Sequence, residues 1–198
     1  MPATIGLTFK DLQMTDKPIF SDDFVNGIDS AWTWLREDPA LWRLDNGGLE
    51  ICVQPGTAGT AINALLFDAP DRKAGDFSVE VTVHNHTLPT IQYEQAGITL
   101  YVDDLPVFKL VKELIDGDLY IIPGKKAMPT QSVRLRLLVK SNSWEAQYRQ
   151  EGATEFSTAD SGDLPVGEKT QVSLQCYNGP PNSDHWIRFE DLRITKLP

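Results

Sequence analysis

The sequence predicts an all-β protein, a two-sheet antiparallel β-sandwich of the jelly-roll type that forms a single domain. Three observations lead to this class. About a dozen short segments have the composition or the alternation of strands, and turn signals separate them at roughly ten-residue intervals. No segment has the length and period of a convincing helix. The length of 198 residues is ordinary for one sandwich.

The chain before residue 20 is predicted to be an N-terminal arm (residues 1–19), and residues 20–198 are predicted to form the domain. A tryptophan-rich segment follows soon after its start. Trp32, Trp34 and Trp42 fit either core anchors or a platform that stacks on sugars. The shared parity of Trp32 and Trp34 favours the core, because both side chains can then face inward.

The clearest strand covers residues 77–83. It follows a strand predicted at residues 44–54, which a turn at residues 46–48 interrupts, and another at residues 61–67. Its residues alternate strictly, which predicts one buried and one solvated face. The inward set is Phe77, Val79, Val81 and Val83, and the outward set is Ser78, Glu80, Thr82 and His84.

The centre of the chain is predicted to be a hairpin. In residues 95–101, Ala96, Ile98 and Leu100 alternate with polar residues, which indicates a strand with one buried face. A turn with Pro106 follows. Residues 107–115 fit both a helix and a strand, and the short turn favours the strand, with Lys112 as the residue that breaks its pattern.

The rest of the chain is predicted to add further strands. They cover residues 119–122, 133–140, 144–149, 172–177 and 186–197. Residues 150–165 are predicted to be a polar loop. The segments 77–83, 95–101 and 133–140 are the expected core strands.

Several motifs in this pattern resemble one protein family. They are EQAGITLYVDD and FKLVKE in the hairpin, a later WEAQY, a terminal RFEDLRI, and Trp-x-Trp with a further Trp before Gly-Leu-x-Ile. These motifs resemble a concanavalin A-like β-sandwich family of unassigned function that includes the fungal regulator-of-enolase protein. The C-terminal β-sandwich of β-xylosidases is a more distant resemblance. The match covers residues 20–197 and implies the fold, but it implies no settled activity.

Charge and composition exclude several classes of function. The net charge of −10 argues against nucleic acid and against anionic membrane surfaces as partners. No run of 18 apolar residues is present, so we expect no membrane-spanning helix. The N-terminus does not read as a secretory signal. The strand patterns predict that Cys52 faces outward and Cys176 faces inward, so a disulfide between them is not expected. We therefore expect reduced thiols in a cytoplasmic protein.

The motifs of common enzymes are missing, so we expect no catalytic residue and no enzyme. Glucanases that resemble this fold carry paired carboxylates on one strand, whereas the nearest run here, residues 113–118, has another spacing and ends in a turn. No serine elbow or phosphate-binding glycine loop is present. His84 and His86 lie two residues apart, but no third ligand follows at zinc spacing.

The resemblance also implies a metal site, since many concanavalin A-like sandwiches carry calcium at the edge of the fold. Asp22, Asp23 and Asp191 stand where such ligands would stand, and carboxylate oxygens suit this ion. The alternative is an acidic surface in an acidic protein. No cofactor other than calcium is expected.

The outward residues of the best strands form the candidate ligand site, on a concave sheet face. They are Glu80, His84, Gln95, Tyr101, Lys109, Glu113 and Arg136. The parity of the hairpin predicts that its members share one sheet with Arg136, and that Lys109 meets Glu113 or Glu80. Such a face suits a sugar or peptide groove, and a solvated sheet face has the same pattern.

Two function classes follow from this sequence. The first is a non-catalytic binding or regulatory protein, and the family resemblance points to regulation of a cytosolic metabolic enzyme through the concave polar face. The second is a carbohydrate-binding protein or an unrecognised glycan-active enzyme. The expected partner is therefore a protein or a carbohydrate.

Overall fold

Fifteen β-strands and no helix make up the part of the chain that the computed structural model describes, residues 17–182 and 184–198. None of this part forms a helix that is long and apolar enough to cross a membrane. The strands are β1 (Phe20–Asp22), β2 (Trp32–Leu35), β3 (Trp42–Asp45), β4 (Gly48–Cys52), β5 (Ala64–Asp68), β6 (Phe77–Asn85), β7 (Gln95–Val102), β8 (Leu105–Ile115), β9 (Asp118–Ile122), β10 (Lys126–Ala127), β11 (Ser132–Val139), β12 (Ser143–Gln150), β13 (Ser157–Asp163), β14 (Thr170–Tyr177) and β15 (Trp186–Lys196).

The strands assemble into two antiparallel sheets. The eight-stranded sheet has the order β13-β12-β11-β6-β15-β4-β3, with β1 paired to β15. The seven-stranded sheet has the order β10-β9-β8-β7-β14-β5-β2. Among the described strands, the chain passes from one sheet to the other eight times, between β1 and β2, β2 and β3, β4 and β5, β5 and β6, β6 and β7, β10 and β11, β13 and β14, and β14 and β15. The two-sheet antiparallel sandwich predicted from the sequence is thereby confirmed.

The inward faces of the two sheets form one apolar core. Val79 and Val81 of β6 lie in the same buried cluster as Ile98 and Leu100 of β7. The three segments expected to be core strands correspond to β6, β7 and β11. Trp32 is part of this cluster, and two further tryptophans, Trp34 and Trp42, pack against it with ring centroids 5.0 Å apart, so the core interpretation of the tryptophans is confirmed.

Strand β8 settles the ambiguity of residues 107–115 in favour of the strand. Its register with β7 sets Thr99 opposite Lys109 and Ile98 opposite Leu110. Leu110 is buried in the core. Neighbouring antiparallel strands carry paired residues on the same face, so Lys109 points away from the core, as the hairpin parity predicts.

Lys112 breaks the pattern of β8 because its side chain enters the space between the sheets. It pairs with Ala96, a core residue, and it is almost fully buried. Its Nζ donates to the carbonyl oxygens of Gln131 and Thr130, just before β11 of the opposite sheet. These bonds tie the two sheets together.

Strand β13 corrects the prediction of a polar loop over residues 150–165. It ends the eight-stranded sheet and pairs with β12. Of its seven residues, STADSGD, Ala159 is the one that is buried. An edge strand with little buried surface needs no apolar alternation, so its sequence does not show the period of a strand.

Candidate functional site

The predicted ligand residues lie on two opposite surfaces of the sandwich rather than on one concave face. Gln95, Tyr101, Lys109 and Glu113 lie on the outer face of the seven-stranded sheet, and Glu80, His84 and Arg136 lie on the outer face of the eight-stranded sheet. The prediction that Arg136 shares a sheet with the hairpin is therefore wrong. Parity tells whether a side chain points inward or outward, but it does not tell which sheet its strand joins.

The outer face of the seven-stranded sheet, here called the recessed face, is polar and yet largely buried. Three polar residues lie at its centre. Thr99 of β7 pairs with Ser173 of β14, and Gln175 is the next outward residue along β14. Each of the three has 0% exposure. Outward side chains of a sheet normally meet water. Their burial shows that other parts of the chain cover the middle of this face.

The loop between β4 and β5 provides part of that cover. The hydroxyl of Tyr101 donates to the carbonyl oxygen of Ala58 at 2.8 Å and lies 3.1 Å from Oε1 of Gln175. The amide of Gln175 also donates to Ala58. Burial raises the pKa of the Tyr101 phenol, although Arg36 and Gln175 oppose the shift. The phenol is therefore neutral at physiological pH and acts as a donor that fastens the loop.

Lys109, Gln95 and Glu113 form a bonded group on the β8 side of the recessed face. The Nζ of Lys109 donates to Oε1 of Gln95 at 2.6 Å and to Oε2 of Glu113 at 2.9 Å. The Lys109 side chain is 33% exposed, whereas that of Glu113 is 6% exposed. The expected pairing of Lys109 with Glu113 is thus confirmed, and this end of the face is accessible.

Two tyrosines are neighbours of this group, one across the sheet and one along the chain. Tyr120 of β9 pairs with Glu113, and the carbonyl oxygen of Tyr93, an exposed residue, accepts from the amide of Gln95 at 2.7 Å. Tyr93 has a φ of +67°, a conformation that bulky residues rarely adopt. Aromatic rings beside a fixed polar group are suited to contact the apolar faces of a ligand.

Sequence reasoning missed the contribution of β14 to this face. Gln171, Ser173, Gln175 and Tyr177 alternate with core residues of β14 and pair with β7. The sequence shows this alternation, but it does not show that β14 pairs with β7, because some seventy residues separate the two strands. Burial strongly raises the pKa of Tyr177, and the carboxylate of Glu113 raises it further.

Thr99 carries a buried hydroxyl without a hydrogen-bond partner in the described part of the chain. It lies opposite Lys109 on one side and Ser173 on the other. A buried hydroxyl that lacks a partner costs free energy. The recessed face therefore retains an unused polar group at its centre.

Glu80, His84 and Arg136 belong to a different network. Glu80 lies between two arginines of β11: its Oε1 is 2.7 Å from Nε of Arg136, and its Oε2 is 3.2 Å from Nε of Arg134. His84 lies against His86 with ring centroids 5.2 Å apart. Burial lowers the pKa of His84, and His86 and Lys112 lower it further.

The three acids expected to bind calcium are occupied by protein donors. Asp22 accepts the amide of Phe24 at 2.8 Å and the indole Nε1 of Trp32 at 2.9 Å. Asp191 pairs with two arginines, and Asp23 accepts a local amide. Within residues 17–182 and 184–198, no group of three or more His, Cys, Asp and Glu is arranged to hold a metal ion. Asp22, Asp23 and Asp191 do line one cavity, and the calcium site stays a prediction.

The two cysteines are both buried, and no disulfide joins them. Cys52 lies at the end of β4, and Cys176 lies in the core with its thiol 3.8 Å from the carbonyl oxygen of Ile51. Burial raises the pKa of both thiols. Neutral thiols are poor nucleophiles, so neither cysteine has the properties of a reactive centre.

Comparison with known proteins identifies the fold of this chain. No protein-family model matches it, and no curated protein is similar to it in sequence. The structure is similar to that of the GH43 BlXynB protein from Bacillus licheniformis, with a TM-score of 0.74 and 19% identity over 89% of this chain. This chain spans 39% of the length of that protein.

Two further solved structures have the same sandwich. A functionally unknown protein from Saccharomyces cerevisiae has a TM-score of 0.58 and 16% identity, and the match covers 85% of this chain and 98% of that one. A xylan beta-1,4-xylosidase from Bacillus halodurans has a TM-score of 0.66 and 14% identity, over 88% of this chain and 38% of that one. The chain thus has the fold of the concanavalin A-like β-sandwiches.

Proposed function

We propose that this protein is a non-catalytic binding protein that holds its ligand at the accessible end of the recessed face. The observation that carries the proposal is the bonded group of Lys109, Gln95 and Glu113, whose side chains are fixed by two hydrogen bonds. Tyr120 pairs with Glu113 on the neighbouring strand, and the exposed residue Tyr93 lies two positions before Gln95. A fixed set of polar groups beside aromatic rings is the composition of a site for small polar ligands.

A neutral carbohydrate is the first ligand class. The charge of Lys109 is balanced by Glu113, so the group offers donors and acceptors without a net charge. Sugars present hydroxyls to such groups and apolar ring faces to aromatic side chains. The similarity in fold to a xylosidase supports this class by analogy only.

The positions of the carboxylates support a role without catalysis. Lys109 and Glu113 are four strand residues apart, about 13 Å, so the Glu113 side chain must extend toward Lys109. This direction leads away from Asp118 at the hairpin end of β9. Asp68 of β5 is three strands away from β8, about 14 Å. Glycosidases need two carboxylates at about 5–10 Å across the scissile bond.

A protein partner is the second ligand class, because apolar side chains are exposed near both ends of β8. Leu88, Ile91 and Tyr93 are exposed on the segment before β7, and Leu105 and Val107 are exposed at the start of β8. Exposed apolar residues around a polar centre are common at protein interfaces. For this ligand class, the proposed role is regulation of a cytosolic metabolic enzyme through the recessed face.

A glycan array and a pull-down from source extract, run in parallel, test the proposal. Three proteins are compared: the wild type, Lys109→Met, and the control Lys126→Met, which removes an exposed lysine of β10. We expect the wild type and the control to bind equally and Lys109→Met to bind at least about tenfold more weakly. A Lys109→Met protein that unfolds cooperatively and binds fully would reduce the group to a structural role.

The same comparison separates the two ligand classes. Retention of neutral oligosaccharides that depends on Lys109 supports the carbohydrate class. Capture of a metabolic enzyme that is lost in both Lys109→Met and Tyr93→Ser supports the protein class. Turnover of a bound glycan would contradict the non-catalytic role.

A further inference from the structure

A cavity lies on the outer face of the eight-stranded sheet, on the opposite side of the sandwich from the recessed face. Its volume is about 720 Å³, and its lining includes Ser78, Glu80, Arg136, Leu138, Arg193 and Thr195. We propose that this cavity is a binding site for an oxyanion, such as the carboxylate of a sugar acid or a sulfate group.

The pairing of β6 with β11 and with β15 determines where the cationic groups of the cavity lie. Glu80 of β6 pairs with Arg136 of β11 on one side and with Arg193 of β15 on the other. The two arginines are therefore separated by two strand spacings, about 10 Å. Their long side chains can reach a common anion above β6.

Arg136, Glu80 and Arg193 form one row across the three strands, and the neighbouring row contributes two hydroxyl groups. Ser78 pairs with Thr195 across β6 and β15, one step along the strands from the row of Glu80 and Arg193. Leu138 of β11 pairs with Ser78 on the other side. Hydroxyl donors beside guanidinium groups are suitable ligands for carboxylate and sulfate oxygens, and Leu138 offers an apolar contact.

Arg136 is held in position by three contacts within the protein. Its Nε donates to Glu80 at 2.7 Å, and its guanidinium lies 3.6 Å from the ring centroid of Phe156. Gln147 accepts from its Nη1. A planar guanidinium fixed in this way loses little side-chain freedom when it binds an oxyanion.

The acids near the cavity do not balance its cations. Glu80 is shared between Arg136 and Arg134, and Asp191 is shared between Arg134 and Arg193. Three cations, Lys17, Arg136 and Arg193, and one carboxylate, Glu80, line the cavity, in a protein whose overall net charge is −10. A local cationic excess attracts anions to this cavity in preference to the rest of the surface.

Arg193 is the residue to change, because its side chain is 53% exposed and its loss should leave the fold intact. Arg193→Gln is compared with the control Lys73→Gln. The Lys73 side chain is 49% exposed, and it does not line this cavity. Isothermal titration at low ionic strength uses sodium sulfate, D-glucuronate and D-glucose in turn.

For each of the two anions, we expect Lys73→Gln to bind as tightly as the wild type and Arg193→Gln to bind at least tenfold more weakly. Added salt should weaken the binding, since exposed charges are screened. Tighter binding of glucuronate than sulfate identifies a sugar acid as the ligand type, and the reverse identifies a bare oxyanion.

Anion affinity that is the same in Arg193→Gln, or no binding of either anion, would overturn the proposal. The recessed face is tested with neutral oligosaccharides and this cavity with sulfate, an anion that is not a sugar, so that a failure of one site is distinguishable from a failure of the other. A response to glucose that disappears in Arg193→Gln would also contradict an anion site.

Discussion

The ammonium group of Lys109 donates to Oε2 of Glu113 at 2.9 Å, and the two side chains bridge the residue between them, Val111. Val111 lies on the same face of β8 as this pair and is fully buried. The ion pair therefore covers an apolar residue on the outside of the sandwich. Removing it exposes Val111 and changes the surroundings of a buried carboxylate.

Replacement of Lys109 by methionine should destabilise the protein. The buried carboxylate of Glu113 then loses its cation, and such losses cost about 1–3 kcal/mol. The double variant Lys109→Met/Glu113→Gln should recover part of this loss, because it no longer buries an uncompensated charge. Urea unfolding at pH 7 measures both effects. A double variant that is no more stable than Lys109→Met would show that Glu113 gains little from the pair.

Gly97 should not tolerate a side chain. A methyl group at this position would overlap the carbonyl oxygen of Leu110 and would lie 2.9 Å from Cα of Val111. Both atoms belong to the backbone of β8, so the strand itself must move, and Gly97→Ala should cost about 3 kcal/mol. Gly59→Ala is the control, because its nearest neighbour is Cγ of Pro106 at 3.7 Å. Equal stability of the two variants in urea would contradict the expected clash.

The protein should not hydrolyse common glucans or xylans. Glu94 is engaged by Nδ1 of His185 at 2.8 Å and by the amide of Thr90, and Glu113 is engaged by Lys109. A reducing-sugar assay on laminarin, cellulose and xylan should give the rate of a heat-denatured control. Turnover that is lost in Glu113→Gln or Glu94→Gln would show that one of these carboxylates is catalytic.

The fold was predictable because its pattern is local. The alternation of Phe77, Val79, Val81 and Val83 defines a strand and its inward face without knowledge of the rest of the chain. The hairpin parity likewise predicted that Lys109 meets Glu113 or Glu80, and Glu113 is the partner in the structure. Strand β13 was not predictable, because a polar edge strand carries no alternation.

The composition of the candidate site was less predictable because it depends on which strands are neighbours. Arg136 and Lys109 both point outward, and their placement on opposite surfaces follows from sheet order, which period-two patterns do not contain. The burial of Gln175 depends on Ala58, a loop residue more than a hundred positions away. Contacts at such separations leave no mark in local sequence.

Lys112 gives the stability of this protein a distinctive pH dependence. Burial lowers its pKa from 10.5 to about 7, although the carbonyl oxygens of Gln131 and Thr130 favour the charged amine. Above pH 10.5 the amine is neutral in both states and adds no penalty. Between pH 10.5 and about 7 the unfolded state binds a proton that the folded state lacks, so stability falls as the pH decreases. Below about pH 7 both states are charged, and the penalty is constant.

This effect dominates in the pH range from 7 to 8. The raised pKa values of Cys52, Cys176 and Tyr177 reduce stability increasingly above about pH 8, where the unfolded thiols and then the phenols ionise. The lowered pKa of His84 acts below about pH 6.5. In this range the free energy of unfolding, measured in urea, should rise by up to about 1.4 kcal/mol per pH unit. The rise should persist in Lys126→Met and vanish in Lys112→Met, and an equal slope in all three proteins would show that Lys112 stays charged between the sheets.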